Sequence, residues 1–212
     1  MKIQETRFRD MYHKIFYISA NAHYDLLAEK ISGEVIGTGT IVYGYVDHQM
    51  GMCFEILGLG EKAEDGTIRI VANNDEQTLK SQYETVMNCE YEALPEDLDV
   101  SMFRTKTRMV DRLFRYNDSM EALRDIEMID HCRNEEFPDD MLVYLVSEDR
   151  MPETCWVRSE RVEEGMVYGI LLNEPKQYFG VHEKGEIRFC TGNLDGKYIL
   201  VAEIEDIPML IL

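Results

Sequence analysis

The chain has 212 residues, enough for one large domain or two small ones, and 45% of them are hydrophobic, which is sufficient to bury a core. It carries 41 acidic and 22 basic residues, a formal net charge of −19. Phosphates repel a surface of their own sign, so this charge argues against general binding to nucleic acid or to anionic membranes. It is compatible with a basic protein partner, although solubility alone is the simpler explanation.

The N-terminal sequence "MKIQETRFRD" lacks the apolar stretch of a secretory signal, and no segment reaches the roughly 18 apolar residues of a membrane helix. The last five residues, "PMLIL", are too short for an anchor, and we expect them to pack against the body of the fold. The five cysteines include no CxxC pair. We therefore expect a cytoplasmic protein with reduced thiols and no membrane association.

The first part of the chain predicts a mixture of helices and antiparallel strands. Residues 14–19 are typical of a short buried strand, and the apolar spacing after Asn21 predicts a helix. Three stretches with strand composition, 35–46, 52–57 and 67–72, are separated by turn residues and are expected to pair as antiparallel neighbours. The next stretch, 73–87, is expected to be helical, since Asn73 and Glu76 have capping-box spacing.

Two helices and a β-rich region are expected beyond "LPEDLDV" at 94–100, which we take as a domain boundary. Residues 103–116 predict a helix whose apolar side holds Met109, Val110, Leu113 and Phe114, and a second helix is expected from Asp118 to about Cys132. The sequence predicts an α+β fold with antiparallel sheets and three to four helices, mostly β in its C-terminal part. The expected division is an N-terminal α+β domain (1–98), a helical connector (99–136) and a β-rich domain (137–212).

None of the motifs indicates catalysis or metal binding. The "GTGT" cluster at 37–40 lacks the third glycine of GxGxxG, since position 42 is valine, and strand formers follow it instead of a helix. "DHC" at 130–132 places acid, imidazole and thiol side by side, but adjacent helical residues point about 100° apart. The five histidines show no HxH, HxxxH or HExxH spacing. We predict no metal and no cofactor.

A basic cluster between residues 104 and 115 breaks the acidic pattern. On a helix, its arginines follow i, i+4, i+8 and i+11 and form one stripe: Arg104, Arg108, Arg112 and Arg115. One interpretation is a contact for an acidic partner or a phosphate. The other, which the net charge favours, is a helix that docks by charge against the acidic remainder of the same chain. Nucleic acid is an unlikely partner, and this stripe is the one place where we would expect it.

The stretch "CWVRSERVEEGMVYGILLNEP", residues 155–175, holds the only tryptophan. "EEG" predicts a tight hairpin turn, Pro175 ends the second strand, and Asn173 is expected to bond the backbone of its own corner. Gly169 lies in mid-strand, and we expect Trp156 to pack over it. A structural corner explains these residues without a ligand. The candidate binding surface at the corner comprises Trp156, Arg158, Asn173, Glu174 and Tyr178.

This stretch and the one after it resemble the YegJ-like family, a small bacterial domain of unknown function. The resemblance covers about residues 141–202 and lies in a Trp-Val strand, a G-x-V-x-G-x-L-x-N-x-P strand and corner, and a following Gly-Glu-Ile-Arg-Phe segment. The matching residues are Trp156, Val157, Val167, Gly169, Leu171, Asn173, Pro175, Gly185, Glu186, Ile187 and Phe189. The family's later Asp-Trp pair is missing here. The resemblance implies no activity; by analogy, similar acidic domains occur among toxin-immunity proteins.

These observations favour a cytoplasmic bacterial protein that is not an enzyme and acts as a protein-binding module of the immunity or adaptor type. The oligomeric state stays open. The alternative is an enzyme or a small-ligand-binding protein with a carboxylate-lined site between the two halves, built from Glu174 or Glu186 with a histidine.

Overall fold

The computed structural model describes residues 1–75 and 77–204, and the chain divides into two compact units, Met1–Arg115 and Tyr116–Leu212. The fold is α+β with antiparallel sheets and more strand than helix, which confirms the predicted fold class. Glu76 of the predicted capping box and the apolar segment 208–212 lie outside the described residues. Within those residues, no helix has the length and apolar character needed to cross a bilayer.

The first unit is built on one antiparallel sheet. Its strands are β1 (Ile15–Ser19), β2 (Gly39–Asp47), β3 (Gly51–Lys62), β4 (Ile68–Asn73), β5 (Lys80–Gln82) and β6 (Tyr91–Ala93). They lie in the order β4-β3-β2-β1-β6, and β5 pairs with the first part of β3. The three stretches predicted to be antiparallel neighbours are β2, β3 and β4, and this prediction is confirmed.

Four α-helices accompany this sheet among the described residues of the first unit: α1 (Phe8–Met11), α2 (Tyr24–Ser32), α3 (Tyr83–Val86) and α4 (Arg104–Phe114). Single 3-10 turns span Ile3–Glu5 and Ser101–Phe103. The helix predicted over 73–87 is wrong for most of its length. Buried Asn74 donates hydrogen bonds to the carbonyls of Ile56 and Gln77, and β5 pairs with β3, so tertiary contacts override the local helical pattern.

Both faces of this sheet are buried. One face packs against α3 and the N-terminal segment through a cluster that includes Ile3, Phe16, Val42, Phe54 and Val86. The opposite face packs against α4 through a cluster that includes Tyr17, Tyr45, Leu57, Phe103 and Val110. The "GTGT" glycines serve this packing: a Cβ atom on Gly39 would lie 2.2 Å from the Ile18 carbonyl oxygen, so only glycine fits there.

The second unit is a closed five-stranded barrel. Its strands are β7 (Asp140–Ser147), β8 (Arg150–Glu163), β9 (Met166–Leu171), β10 (Glu186–Leu194) and β11 (Lys197–Glu203), in the order β10-β11-β7-β8-β9. Five strands cannot alternate direction around a closed ring, so one pair, β11 and β7, is parallel. Barrel closure removes exposed strand edges. The interior is filled by Met141, Val143, Leu145, Cys155, Val157, Leu171, Phe189 and Leu200.

The barrel strands are joined by tight turns. The hairpin turn predicted at "EEG" is confirmed, with left-handed residues at Glu164–Gly165, and the turn between β10 and β11 has left-handed residues at Asp195–Gly196. The helix expected from Asp118 to Cys132 is two shorter elements, α5 (Asp118–Arg124) and a 3-10 helix at Glu127–Cys132. The side chain of Asn117 caps α5 by accepting a hydrogen bond from the Met120 amide at 2.8 Å.

Candidate protein-interaction surface

Helix α4 lies against the first sheet with a lysine in its buried face. Lys106 is 8% exposed, and its ammonium donates to the carbonyl oxygens of Ile56, Asn74 and Gln77 at 2.8–2.9 Å. The same nitrogen lies 3.1 Å from a carboxylate oxygen of Glu55, which is 1% exposed. Burial raises the pKa of the Glu55 carboxyl, and Lys106 opposes that rise. The sequence suggested that the arginine stripe docks α4 against acidic parts of the same chain. In the structure, Lys106 makes that contact, with Glu55 as its acidic partner.

A second polar contact fixes α4 at its C-terminal half. The Tyr43 hydroxyl donates a hydrogen bond of 2.6 Å to Asp111 Oδ1, and the ring of His13 lies with its Nε2 atom 3.7 Å from the same oxygen. Burial is the main cause that raises the pKa of the Tyr43 hydroxyl, and the adjacent Asp111 carboxylate raises it further. Lys106 and Asp111 thus orient α4, and the direction in which its other side chains point follows from these two contacts.

The predicted apolar side of this helix is half wrong. Val110 is buried and Phe114 partly so, but Met109 is 44% and Leu113 66% exposed. The buried side instead follows Phe103, Lys106 and Val110, an i, i+3, i+7 series. Apolar periodicity did not predict this buried side because Lys106, its middle residue, is charged. A lysine is rarely buried unless it has several partners, and the sequence does not show those partners.

The arginines of the stripe lie on the outside of α4. Arg104, Arg108 and Arg112 are exposed, as is Arg115, the residue that follows the helix. Arg108 and Arg112 make no ion pair or hydrogen bond within residues 1–75 and 77–204. Met109 and Leu113 follow them by one position each, so two arginines and two apolar side chains share one exposed surface. We call Arg108, Met109, Arg112 and Leu113 the α4 outer surface.

The corner at residues 173–175 is hydrogen-bonded to strand β8 of the barrel. The Trp156 amide donates to Asn173 Oδ1 at 2.8 Å, and the Leu172 amide donates to the Trp156 carbonyl at 2.8 Å. Asn173 therefore bonds the neighbouring strand β8, and its Nδ2 atom also makes a longer contact of 3.5 Å to the Glu174 carbonyl oxygen within its own corner, as the sequence predicted. Pro175 is buried.

The expected packing of Trp156 over Gly169 is wrong. A Cβ atom on Gly169 would lie 2.5 Å from the Arg158 carbonyl oxygen and 2.7 Å from Val157 Cγ1, so those two residues fill the space. In the register of β8 and β9, Gly169 lies opposite Ser159. Side chains alternate along a strand, and since Cys155 and Val157 point into the barrel, the half-buried Trp156 points outward.

The loop that follows the corner is held by carboxylates. Glu174 accepts a 2.8 Å hydrogen bond from the Glu183 amide, and its other oxygen lies 2.7 Å from His182 Nδ1. The hydrogen bond from the Glu183 amide is the main cause that lowers the pKa of Glu174 below its ordinary value, and the contact with His182 is the second cause. Glu153 accepts hydrogen bonds from the amides of Lys176 and Gln177 in the same way, at 2.7 and 3.0 Å. The two carboxylates thus hold the loop through its backbone amides.

The remaining predicted site residues do not converge on one point. Arg158 forms a two-pronged ion pair with Asp140 at 2.7 and 2.9 Å, and Tyr178 is 73% exposed. Glu186 pairs with Arg161 at 2.6 Å, and this contact lowers the pKa of Glu186. The structure brings Trp156 together with Asn173, and it brings Glu174 together with His182, whose ring lies 6.2 Å from the ring of Tyr178.

The "DHC" segment does not place a base beside its thiol. The His131 ring nitrogen Nε2 lies 2.8 Å from the Tyr198 carbonyl oxygen, while Cys132 is buried and its burial raises the thiol pKa. A thiol with a raised pKa is a poor nucleophile at neutral pH. Among the described residues, no three His, Cys, Asp or Glu side chains are grouped so as to hold a metal ion.

Comparison with protein-family models, with curated proteins and with solved structures gave no match to this chain. The resemblance to the YegJ-like family therefore stays a prediction.

Proposed function

We propose that this protein is a protein-binding module of the adaptor or immunity type, and that the α4 outer surface is one of its binding sites. The observation that carries the proposal is the exposure of Arg108 and Arg112, without an ionic partner among the described residues, beside Met109 and Leu113. Arginine and methionine are enriched in protein interfaces, whereas lysine and glutamate are depleted there.

The partner that fits this surface is an acidic segment of another protein. Guanidinium groups bind carboxylates in a two-pronged geometry, and the adjacent methionine and leucine offer apolar area that a purely electrostatic site would lack. Two arginines one helical turn apart match carboxylates at i and i+4 of a partner helix. The apolar pair beside them and the net charge of the chain favour protein over nucleic acid.

The charge of the second unit fits the basic partner that the net charge predicts. Residues 116–212 contain 22 acidic and only 9 basic residues, a formal excess of 13 negative charges. Long-range attraction by such a surface raises association rates with basic partners. The two units then offer surfaces of opposite sign for protein contacts.

Site-specific photocrosslinking in the native cell tests the α4 site. A photoreactive residue at Leu113, which is well exposed, is expected to capture a protein whose crosslinked segment is acidic. The double change Arg108→Glu/Arg112→Glu should abolish the crosslink. The matched control is Lys14→Glu/Lys197→Glu, which changes the net charge equally at exposed positions outside α4. A crosslink that survives the arginine changes, or that disappears on nuclease treatment, would overturn the assignment.

A further inference from the structure

A cleft of about 460 Å³ opens on the first unit between α2 and the segment formed by β5 and α3. Its floor is the sheet, with Ile18 from β1, Thr40 from β2 and Ile56 from β3. Its walls include Leu27 and Lys30 from α2 and, on the other side, Leu79, Ser81 and Val86. Small-molecule sites in proteins have volumes of about 300–1,000 Å³, so the cleft is large enough to hold one.

The cleft exists because α2 and α3 pack on different parts of the same sheet. Helix α2 is anchored by Tyr24 and Ala28 against Leu59, whereas α3 is anchored by Tyr83 and Val86 in a second cluster that α2 reaches only with partly buried side chains. The gap between the two helices is left unfilled by side chains.

Two polar contacts tie the walls of the cleft together. Asn21 Nδ2 donates to the Thr85 carbonyl at 3.3 Å, and Gln77 Nε2 donates to the Lys30 carbonyl at 3.1 Å. Each contact joins a residue of the α2 side to one of the β5–α3 side. They fix the separation of the walls, on which Leu27 and Leu79 are the partly exposed apolar side chains.

The charge of the lining differs from that of the chain as a whole. None of the described residues that line the cleft is Asp or Glu, although 41 of the 212 residues of the chain are acidic. The lining includes Lys30, Lys80 and His23. Lys80 is 3.8 Å from Asp47, but the exposed ammonium of Lys30 has no ion pair within the described part of the chain.

We propose that this cleft binds a small apolar monocarboxylate. The apolar body lies between Leu27 and Leu79, the partly exposed apolar side chains of the two walls, where burial of its surface supplies the affinity. The carboxylate stays at the rim beside the Lys30 ammonium, because an anion placed on the apolar floor would lose its hydration without a partner. This site differs from the carboxylate-lined site considered from the sequence, since it belongs to the first unit and its described lining holds no carboxylate.

The probe for the test is 4-phenylbutyrate, an apolar carboxylate that the cleft has room for, and its neutral amide, 4-phenylbutanamide, is the matched control. In ¹H–¹⁵N correlation spectra of the full chain, we expect 4-phenylbutyrate to shift amides of α2, β5 and α3. We expect the amide to bind at least fivefold more weakly. The net charge of the chain repels anions, so a preference for the carboxylate must arise from local positive charge.

Two variants place the ligand. Lys30→Glu, at an exposed position, should weaken 4-phenylbutyrate binding at least fivefold and leave the amide unaffected, while Lys14→Glu should change neither. Ser81→Phe should block both ligands by filling the cleft. Shifts scattered over both units, equal binding of acid and amide, or full binding by the Lys30→Glu protein would overturn the proposal. The spectrum of each free variant shows directly that it is folded.

Discussion

Lys106 Nζ and Glu55 Oε1 lie 3.1 Å apart in the interior of the first unit. The ammonium also donates to the carbonyls of Ile56, Asn74 and Gln77, so one nitrogen serves three backbone acceptors and the countercharge of a buried carboxylate. Those carbonyls belong to β3 and to the segment between β4 and β5. A single side chain of α4 thereby joins the helix to two parts of the sheet region.

Removal of this lysine is expected to destabilise the first unit strongly. In Lys106→Met, Glu55 is left buried without its countercharge, and breaking a buried pair from one side costs about 3–5 kcal/mol. The measurement is the free energy of unfolding from urea denaturation followed by circular dichroism. The double variant Glu55→Leu/Lys106→Met should recover much of the loss because it removes both charges. Equal destabilisation in the single and double variants would contradict the assigned role of the pair.

The same pair gives a pH dependence of known sign. Burial raises the pKa of Glu55 in the folded state above the ordinary value of 4.5, so folding favours the protonated carboxyl. Stability from this group is present below pH 4.5 and is lost as the pH rises through the folded-state pKa. In Lys106→Met we expect the free energy of unfolding to fall more steeply with rising pH than in the parent chain. The double variant lacks the carboxyl and should not show the additional slope.

Elements defined by local composition were predictable from the sequence. Strands β2, β3 and β4 consist of β-branched, aromatic and apolar residues between turn signals, and the residues at Glu164–Gly165 and Asp195–Gly196 adopt the left-handed conformation that two-residue hairpins require. In these cases a few neighbouring residues determine the local structure, so the pattern of their side chains is sufficient to predict the strand or the turn.

Elements defined by distant contacts were not predictable in the same way. Closure of the barrel depends on the parallel pairing of β7 with β11, which no local pattern encodes. The three residues of β5 are polar, and they form a strand because their backbone pairs with the free edge of β3 at residues 53–55. The buried side of α4 was misjudged because its central member, Lys106, is a charged residue whose partners come from elsewhere in the chain. The candidate cleft likewise combines residues of α2 with residues of β5 and α3.

Gly169 is expected to be far less tolerant of a side chain than Gly192. A methyl group on Gly169 meets the Arg158 carbonyl oxygen at 2.5 Å, and backbone cannot move aside cheaply. On Gly192 the nearest atom is Val201 Cγ2 at 2.9 Å, the end of a side chain. We expect Gly169→Ala to lower the free energy of unfolding by about 1–3 kcal/mol and Gly192→Ala by less than about 1 kcal/mol. Urea unfolding followed by the fluorescence of Trp156 measures both, and equal losses would contradict the close approach.

Asn173 is expected to stabilise the second unit through its acceptor oxygen. Asn173→Ala leaves the Trp156 amide without its 2.8 Å partner, and the loss of such a partly buried hydrogen bond costs about 0.5–1.5 kcal/mol. Asn173→Asp retains an acceptor and should lose less, although its charge lies near other carboxylates. The only tryptophan adjoins the site, so its emission reports both the unfolding midpoint and any local opening. An alanine variant as stable as the parent would assign the corner's rigidity to Pro175 and the strand pairing instead.

The contact between Glu174 and the Glu183 amide can be followed directly by its titration. Because that amide and His182 lower the pKa of Glu174, the loop contact is complete above pH 4.5 and is lost as the pH falls through the lower folded-state value. In NMR titrations from about pH 7 to about pH 3, we expect the Glu183 amide proton shift to change with a midpoint below the ordinary value for glutamate. The Lys184 amide donates to the Leu171 carbonyl at 2.8 Å, an acceptor that does not titrate, and serves as the internal control. Glu174→Gln should abolish the titration at Glu183. His182→Ala should move the midpoint upward only part of the way, because the backbone donor is the larger cause of the lowered pKa and remains in place.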